Sequence, residues 1–268
     1  MIRRLSCLLA VVSLAAACGF GPLDGRATEV WTKSYPLAAG GELHIGNTNG
    51  RIDVEGVDGS TVEVRAEKIA KAVSDDAAKE LLPRIEINED IKADRVSVET
   101  AKLGGIMMGA SIEVRYTVKV PKSAVIDLSN TNGLVSVKNL TGKVRAHTTN
   151  GGVRGTDLTG SVDASATNGG VNVDLASLGK GPISLSTTNG GVNLALPTDA
   201  KADVFATCTN GGISVSGVPI EMTEQSRRRV EGKMNGGGAS IELKTTNGGV
   251  RIRAHGDRAP KDTDTDSR

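Results

Sequence analysis

Aromatic residues are scarce in this sequence: tyrosine, phenylalanine and tryptophan together make up 2% of its 268 residues. A conventional globular core of this size normally uses more of them. Valine, isoleucine, leucine and alanine can fill a narrow core without aromatic side chains, and a hydrophobic fraction of 38% is too high for simple disorder. The composition therefore indicates a folded chain with a thin aliphatic core.

The sequence also lacks an excess of charge, because 32 basic and 31 acidic residues leave a formal net charge of +1. A nucleic-acid-binding protein needs basic residues concentrated on one face, so we expect no nucleic-acid partner. His44, His147 and His255 are scattered, and we expect the first two to be solvated surface residues. No zinc-binding, phosphate-binding or serine-hydrolase motif is present. The sequence therefore predicts no catalytic residues, no cofactor and no metal site.

Long apolar runs are missing as well. A bilayer span needs roughly 20 apolar residues, whereas the apolar run at residues 5–17 is shorter, follows a basic start and is typical of a signal peptide. Three alanines directly precede Cys18, which resembles the bacterial lipobox and implies that Cys18 is lipidated. Ordinary cleavage near the same site is the alternative. We therefore expect a signal peptide at 1–17, then a lipid site and tether at 18–32 that hold an exported protein on a membrane.

Three cysteines are too few for a disulfide framework. Cys7 lies in the segment that is expected to be removed. If Cys18 is lipidated, Cys208 is left alone and is expected to be a small buried side chain. If Cys18 is not lipidated, a bridge between Cys18 and Cys208 remains possible.

The most informative feature is the tripeptide Thr-Asn-Gly, which occurs seven times. Its asparagines are Asn49, Asn132, Asn150, Asn168, Asn189, Asn210 and Asn247. Aliphatic residues recur six positions before and three positions after each asparagine, and the residues between them are mostly polar. Alternation of this kind is typical of half-buried strands. Each copy therefore predicts a strand, a tight turn in which glycine supplies positive φ, and a second strand.

Two folds can use such a unit. An Asn-Gly turn between alternating strands is a hairpin signal, which favours a meander. In a solenoid, equivalent residues stack on one another and form aliphatic columns and ladders of side-chain amides. Asp127, Arg145 and Asp163 share one outward position, so stacking also places opposite charges on neighbouring strands. We therefore predict an all-β fold, a single-stack parallel β-solenoid (β-helix) of about seven coils with Thr-Asn-Gly turns that form a structural ladder.

Interruptions of the repeat define the expected organisation. The β-solenoid repeat domain is predicted at 33–255, with insertions near 66–110 and 217–238. The first insertion contains one short helix capped by Ser74, and we expect it to cover the N-terminal end of the solenoid, whose bare edge would invite aggregation. Residues 256–268 are charged and repetitive and are expected to be a disordered tail.

Two segments that depart from the repeat are candidate contact surfaces. Met107 and Met108 lie in an apolar loop between glycines, and methionine-rich surfaces adapt to partners. Arg227, Arg228 and Arg229 form a basic run whose guanidinium groups suit anionic lipid or polysaccharide. The alternatives are that the first loop only caps the core and that the second is a solvated insertion.

A family resemblance rests on the run Tyr116-Thr-Val-Lys-Val-Pro121, followed by Asn132-Gly133 and repeated Thr-Thr-Asn-Gly-Gly-Val. These segments resemble the "putative adhesin" β-strand repeat family, a family of unknown function in bacterial envelope proteins. The resemblance covers roughly residues 40–253. It implies a β-solenoid at the cell envelope and no catalytic residues.

The sequence thus favours a non-catalytic cell-envelope lipoprotein that acts as a scaffold or binding module. Its expected partners are a membrane, through the N-terminal lipid, and an envelope protein or polysaccharide. One alternative is a carbohydrate-active enzyme on a β-helix, which needs acidic or basic groups clustered on one face. Another is a self-associating structural surface protein, which a bare terminal coil would favour.

Overall fold

The structure is a computed structural model, and it describes residues 23–101 and 109–256. The expectations for the signal peptide, for Cys18, for Met107 and Met108, and for the tail beyond Gly256 therefore lie outside the described residues. Across the two described ranges, no helix combines the length and the apolar character that crossing a membrane requires.

The described residues form an all-β fold with one short helix, α1 (Asp75–Leu81), and a 3₁₀ turn at Leu82–Arg84. The first strands are β1 Gly25–Pro36, β2 Glu42–Asn49, β3 Ile52–Val57, β4 Thr61–Ala72, β5 Ile87–Ile91, β6 Arg95–Thr100, β7 Ser111–Pro121, β8 Val125–Asn132, β9 Val135–Leu140, β10 Val144–Asn150 and β11 Val153–Leu158. The remaining strands are β12 Val162–Asn168, β13 Val171–Leu175, β14 Ile183–Asn189, β15 Val192–Leu196, β16 Ala202–Asn210, β17 Ile213–Ser216, β18 Ile220–Gln225, β19 Arg229–Met234, β20 Ala239–Asn247 and β21 Val250–Ala254.

These strands form two sheets with the core between them. Sheet A has the order β1-β4-β7-β3-β9-β11-β13-β15-β21-β17, and sheet B has the order β18-β19-β16-β20-β14-β12-β10-β8-β2-β6-β5. Each Thr-Asn-Gly turn joins a strand of sheet B to a strand of sheet A, and we call such a pair a layer. The Asn-Gly turns therefore connect the two sheets and do not form hairpins within one sheet, so the meander alternative is wrong.

Neighbouring layers pair in parallel, with the asparagine of one turn opposite the asparagine of the next. Arg145 lies opposite both Asp127 and Asp163, which is the charge alternation that the sequence predicts. Antiparallel pairs are added at both ends of the stack. Both sheets are therefore mixed, and the expectation of a purely parallel single stack is corrected in this respect.

The core consists of stacked aliphatic columns. The residues six positions before the seven turn asparagines are at most 2% exposed; they are Leu43, Ile126, Val144, Val162, Ile183, Val204 and Ile241. Side chains on a strand alternate between the two faces of a sheet, so the same parity leaves the residues between them on the outer face. The narrow space between the two sheets is filled without large aromatic residues along its central part.

The layers do not stack in chain order. In space the order is β6–β7, β2–β3, β8–β9, β10–β11, β12–β13, β14–β15, β20–β21 and β16–β17. The first and the last Thr-Asn-Gly copies are thus each the second layer from one end. The β6–β7 layer has no Thr-Asn-Gly turn, which is why the sequence assigned β6 to an insertion rather than to the repeat.

At the β6–β7 end, antiparallel strands and the helix cover the stack. Strand β4 pairs with β7, and β1 pairs with β4 over its whole length. Ser74 caps α1 by accepting a hydrogen bond from the Ala77 amide, as its sequence position predicts. Residues 25–32, which the sequence assigned to the tether, belong to β1, because they pair with β4 although they lack the repeat motif.

The same end is closed by a bond between the two sheets. Tyr35 on β1 donates a hydrogen bond of 2.6 Å from its hydroxyl to the Glu89 carboxylate on β5, and Lys33 Nζ donates one of 2.9 Å. Burial raises the pKa of Tyr35, and the bond to Glu89 adds to this. Burial alone would raise the pKa of Glu89, but hydrogen bonds from Tyr35 and Lys33 and the charge of Lys33 lower it overall.

We expect Tyr35→Phe to lower the free energy of unfolding by about 1.5 kcal/mol near pH 7, because a hydrogen bond to a charged carboxylate is lost. The lowered pKa of Glu89 means that its stabilising effect is present above the ordinary glutamate pKa and is lost as pH falls through the folded-state pKa. Urea unfolding of both proteins near pH 7 and about pH 3 measures this. An equal difference between the proteins at both pH values would exclude the ionised carboxylate as its source.

Candidate functional site

The seven turn asparagines form one continuous ladder along an edge of the molecule. Starting from the Asn210 end, the side-chain Nδ2 of each asparagine donates to the Oδ1 of the next, at distances of 2.6 to 2.9 Å. In spatial order the ladder runs through Asn49, Asn132, Asn150, Asn168, Asn189, Asn247 and Asn210. All six bonds point toward Asn49, so Asn210 is the terminal donor and its own Oδ1 accepts no bond from the ladder.

The glycines of the turns allow the layers to approach each other. Gly169 has φ of +151°, and a Cβ atom built on it would lie 1.9 Å from the carbonyl oxygen of Gly151 in the next layer. The backbone N–H of Gly169 donates to the carbonyl of Asn189, and five of the other six turns repeat this bond. Both the positive φ and the close approach require glycine here.

Inward-facing side chains two positions before the asparagines form hydrogen bonds with the turns from the core side. The hydroxyls of Thr148, Thr187 and Thr245 each donate to a glycine carbonyl of a neighbouring layer, at 2.7 to 3.2 Å. Asn130 donates from its side-chain amide to the carbonyl of Gly50. Neighbouring turns are therefore joined by hydrogen bonds from both the side chains and the backbone.

The arginine run is the tip of the β18–β19 hairpin, and the backbone of this tip continues the stack. The carbonyl of Arg227 accepts a hydrogen bond of 3.1 Å from the Ile213 amide, and the carbonyl of Arg228 accepts one of 3.0 Å from Cys208. In other layers the residue equivalent to Ile213 donates to a residue of the next turn, as Val192 does to Gly249. The hairpin tip thus replaces the turn that an additional layer would supply.

The three arginines are not equivalent. The guanidinium of Arg229 stacks on Phe205 at 4.8 Å from the ring centroid and pairs with Glu224 and Glu231 at 2.8 and 3.3 Å. The contact with Phe205 joins the hairpin to β16, and the two glutamates lie on the hairpin itself; no local sequence pattern indicates these partners. Arg227 and Arg228 are exposed, and no acidic side chain among the described residues pairs with either. Of the three arginines, Arg227 and Arg228 therefore remain the candidates for contact with a partner.

A comparison with known families assigns this architecture. The profile of the Toastrack DUF4097 family matches residues 40–253, which include all seven turns and the arginine hairpin. The chain belongs to the Toastrack family. The matched residues are those on which the resemblance drawn from the repeat rests, and the match confirms that resemblance. Among the described strands and helices, β1 is the only one that lies entirely outside the matched range.

Solved structures similar to this Toastrack chain come from several bacteria. A "putative cell adhesion protein" of Clostridium sporogenes is 11% identical, with coverage of 85% of this chain and 100% of that chain and a TM-score of 0.49. A "putative adhesin" of Bacteroides fragilis is 13% identical, with coverage of 84% of this chain and 97% of that chain and a TM-score of 0.36. A "putative lipid binding protein" of Parabacteroides distasonis is 10% identical, with coverage of 84% of this chain and 94% of that chain and a TM-score of 0.25. No curated protein sequence matches the chain.

The outer faces of the Toastrack domain carry paired charges. His44 is not a freely solvated residue: its ring nitrogens lie 3.2 Å from Asp127 and 3.2 Å from Glu99, and its side chain is 16% exposed. His147 is exposed and contacts Ser165 at 2.8 Å. In residues 23–101 and 109–256, no three His, Cys, Asp or Glu side chains are arranged to hold a metal ion.

An open groove of about 670 Å³ lies at the corner opposite the asparagine ladder. Loops 176–180 and 197–201 line it, together with Gly238 and Ala239. Its charged residues are Lys180, Lys201 and Asp199, and all three are exposed. The groove thus contains one carboxylate, whereas glycoside hydrolysis by the usual mechanism requires two that act together.

Proposed function

We propose that the chain is an exported, lipid-anchored binding module of the cell envelope that contacts an acidic polysaccharide through the tip of the β18–β19 hairpin. The observation that supports this most is the state of Arg227 and Arg228. Their backbone carbonyls are bound by Cys208 and Ile213, while their side chains are exposed. A fixed backbone with free guanidinium groups lowers the entropic cost of binding a carboxylate.

A binding role fits the arrangement of the scaffold better than catalysis. Catalysis needs groups that converge on one position with a low-dielectric surrounding. Here the space between the sheets is filled by aliphatic side chains, and the outer columns mix both signs of charge, as Asp127, Arg145 and Asp163 do. The non-catalytic role therefore rests on the packing of the solenoid, which holds a contact tip in a fixed position.

We expect the double variant Arg227→Ser/Arg228→Ser to bind a linear acidic polysaccharide, with polygalacturonate as the probe, about tenfold more weakly at moderate salt. The binding of the unmodified protein should weaken as salt is added, and the variant should show a shallower dependence on salt. Calorimetric titration over a range of ionic strengths measures both effects.

The control is Arg65→Ser/Arg154→Ser, which removes the same charge from exposed positions away from the hairpin. It should leave the affinity close to that of the unmodified protein. Equal losses in the two double variants would mean that net charge alone decides binding. Vesicles that contain phosphatidylglycerol form a second arm, and binding to vesicles but not to polygalacturonate would assign the tip to anionic lipid instead.

The proposed anchor is a lipid on Cys18, because residues 5–17 are apolar and end in alanines directly before that cysteine. We expect the full-length protein to be found with the membrane fraction and Cys18→Ser to be found in the soluble fraction after export. Mass spectrometry of the mature N-terminus identifies the acyl chains. Recovery of the unmodified protein in the soluble exported fraction would overturn the lipid anchor while leaving the hairpin contact untouched.

A further inference from the structure

Every Thr-Asn-Gly turn contains an Asn-Gly pair, and this pair has a spontaneous chemistry of its own. The backbone nitrogen of the glycine loses its proton and attacks the Cγ carbon of the asparagine side chain. A bond forms between nitrogen and Cγ, the bond from Cγ to Nδ2 breaks, and ammonia leaves. Water then opens the resulting succinimide and yields aspartate or isoaspartate. The reaction needs only water and base, and it requires the glycine N–H to be free.

In six of the seven turns this N–H is held by the next layer. The amides of these six glycines each donate to the carbonyl of a neighbouring turn asparagine, at 2.7 to 2.9 Å; they are Gly50, Gly133, Gly151, Gly169, Gly190 and Gly248. The asparagine side chains of these turns are also fixed in the ladder by hydrogen bonds to their neighbours. The stack therefore opposes both the loss of the proton and the movement of the side chain.

The seventh turn, in the outermost β16–β17 layer, lacks this protection. Among the described residues, none accepts a hydrogen bond from the Gly211 amide, because the next element is the hairpin tip, which bonds to Cys208 and Ile213 on either side of the turn. Asn210 donates from Nδ2 to Asn247 at 2.8 Å, but its Oδ1 has no donor within the part of the chain that the structure describes. The Asn210 side chain is exposed.

We propose that Asn210 is a site of spontaneous deamidation and that the asparagine ladder protects the six other turn asparagines. The carboxylate that forms lies in the same turn as Cys208, whose amide bonds to the Arg228 carbonyl. Deamidation therefore places a negative charge beside the arginine hairpin tip. It reduces the positive charge of this end of the molecule and removes only the last ladder bond, from Asn210 to Asn247, because Asn210 is the terminal member.

An eighth Asn-Gly pair, Asn235-Gly236, lies outside the ladder and provides an internal comparison. Both side-chain N–H groups of Asn235 are engaged, since Nδ2 donates to the carbonyls of Thr198 and Ala200 at 2.9 and 2.8 Å. The amide that would leave as ammonia is thus held by two bonds, against one for Asn210. Asn235 should deamidate more slowly than Asn210 in the folded protein.

The test is to incubate the folded protein in mildly alkaline buffer and to follow each Asn-Gly pair by mass spectrometry. Trypsin separates all eight pairs, and the fragment 202–227 contains Asn210. We expect deamidation of Asn210 to be at least about tenfold faster than that of the six protected turn asparagines, since they react only after local opening. In urea, all eight pairs should react at similar rates.

Hydrogen–deuterium exchange on the same sample gives a second measurement. The backbone amide of Gly211 should exchange quickly, whereas the glycine amides of the six other Thr-Asn-Gly turns should be protected. Asn210→Gln is the matched variant, because glutamine keeps the amide but cannot form the five-membered ring, and the signal in fragment 202–227 should disappear. Faster deamidation at any other pair in the folded protein, or equal suppression of Asn210, would overturn the proposal. Neither outcome bears on the polysaccharide contact.

Discussion

Replacing Gly169 with alanine is expected to destabilise the protein by about 3 kcal/mol or more. Gly169 has φ of +151°, and the new Cβ would lie 1.9 Å from the carbonyl oxygen of Gly151. This oxygen belongs to the backbone of the adjacent layer, which the asparagine ladder and the parallel pairing fix in place. The layers can accommodate the methyl group only by separating, so the loss should appear as a lower midpoint of urea unfolding.

The neighbouring residue supplies the matched control. Gly170 has an ordinary backbone conformation, and a Cβ there would be 3.4 Å from the nearest atom, the carbonyl oxygen of Gly191. Gly170→Ala should therefore change the free energy of unfolding by less than about 1 kcal/mol. Similar losses for the two alanine variants would show that the close approach between layers does not limit which residues the turn accepts.

A charge in the core should have a comparable or larger effect. Val192 is fully buried on a strand of sheet A that has a neighbour on both sides, opposite Val171 and Val250 in the adjacent layers. We expect Val192→Asp to cost more than about 4 kcal/mol, because an unpaired carboxylate is transferred into an aliphatic column. Thermal unfolding followed by circular dichroism should show a strongly lowered midpoint temperature, or a chain that does not fold.

The control for this variant introduces the same residue on the outside of the same layer. Ser186 lies on the outer face of sheet B, opposite Ser165 and Lys244. A carboxylate at this position meets water and a basic side chain, so Ser186→Asp should change stability by less than about 0.5 kcal/mol. If Ser186→Asp were as damaging as Val192→Asp, the assignment of inner and outer faces would be wrong.

Much of the local structure could be predicted from the sequence, because each position of the repeat indicates its own conformation and face. The alternation around Asn150 and Asn168 specifies which side chains face inward, and Asn-Gly specifies where the chain turns. Stacking of identical turns then follows, since only that arrangement places asparagine on asparagine and aliphatic on aliphatic. The capped helix was also accessible, because Ser74 and the acidic first turn are local signals.

The order in which the layers stack could not be predicted in the same way. No local sequence pattern near Asn247 predicts that its layer packs between the layers of Asn189 and Asn210. In the structure, the β18–β19 hairpin pairs with the outer edge of β16, and β20 lies between β16 and β14. As a result Val250 is 1% exposed, whereas Ile213, on the edge strand β17, is half-buried. The β6–β7 layer was missed because a strand that only alternates cannot be assigned to a stack without a turn motif.

The sequence by itself determined the unit of this protein: strand, Asn-Gly turn, strand, with inward and outward faces set by a period of two. It also determined the parallel register of the repeated layers, because like residues gain most by stacking on like residues. Only the tertiary structure decided the order of the layers and the antiparallel ends. It also decided the different roles of the three adjacent arginines. These depend on contacts between residues far apart in the chain, as between Arg229 and Phe205, and on which turn is left without a neighbour.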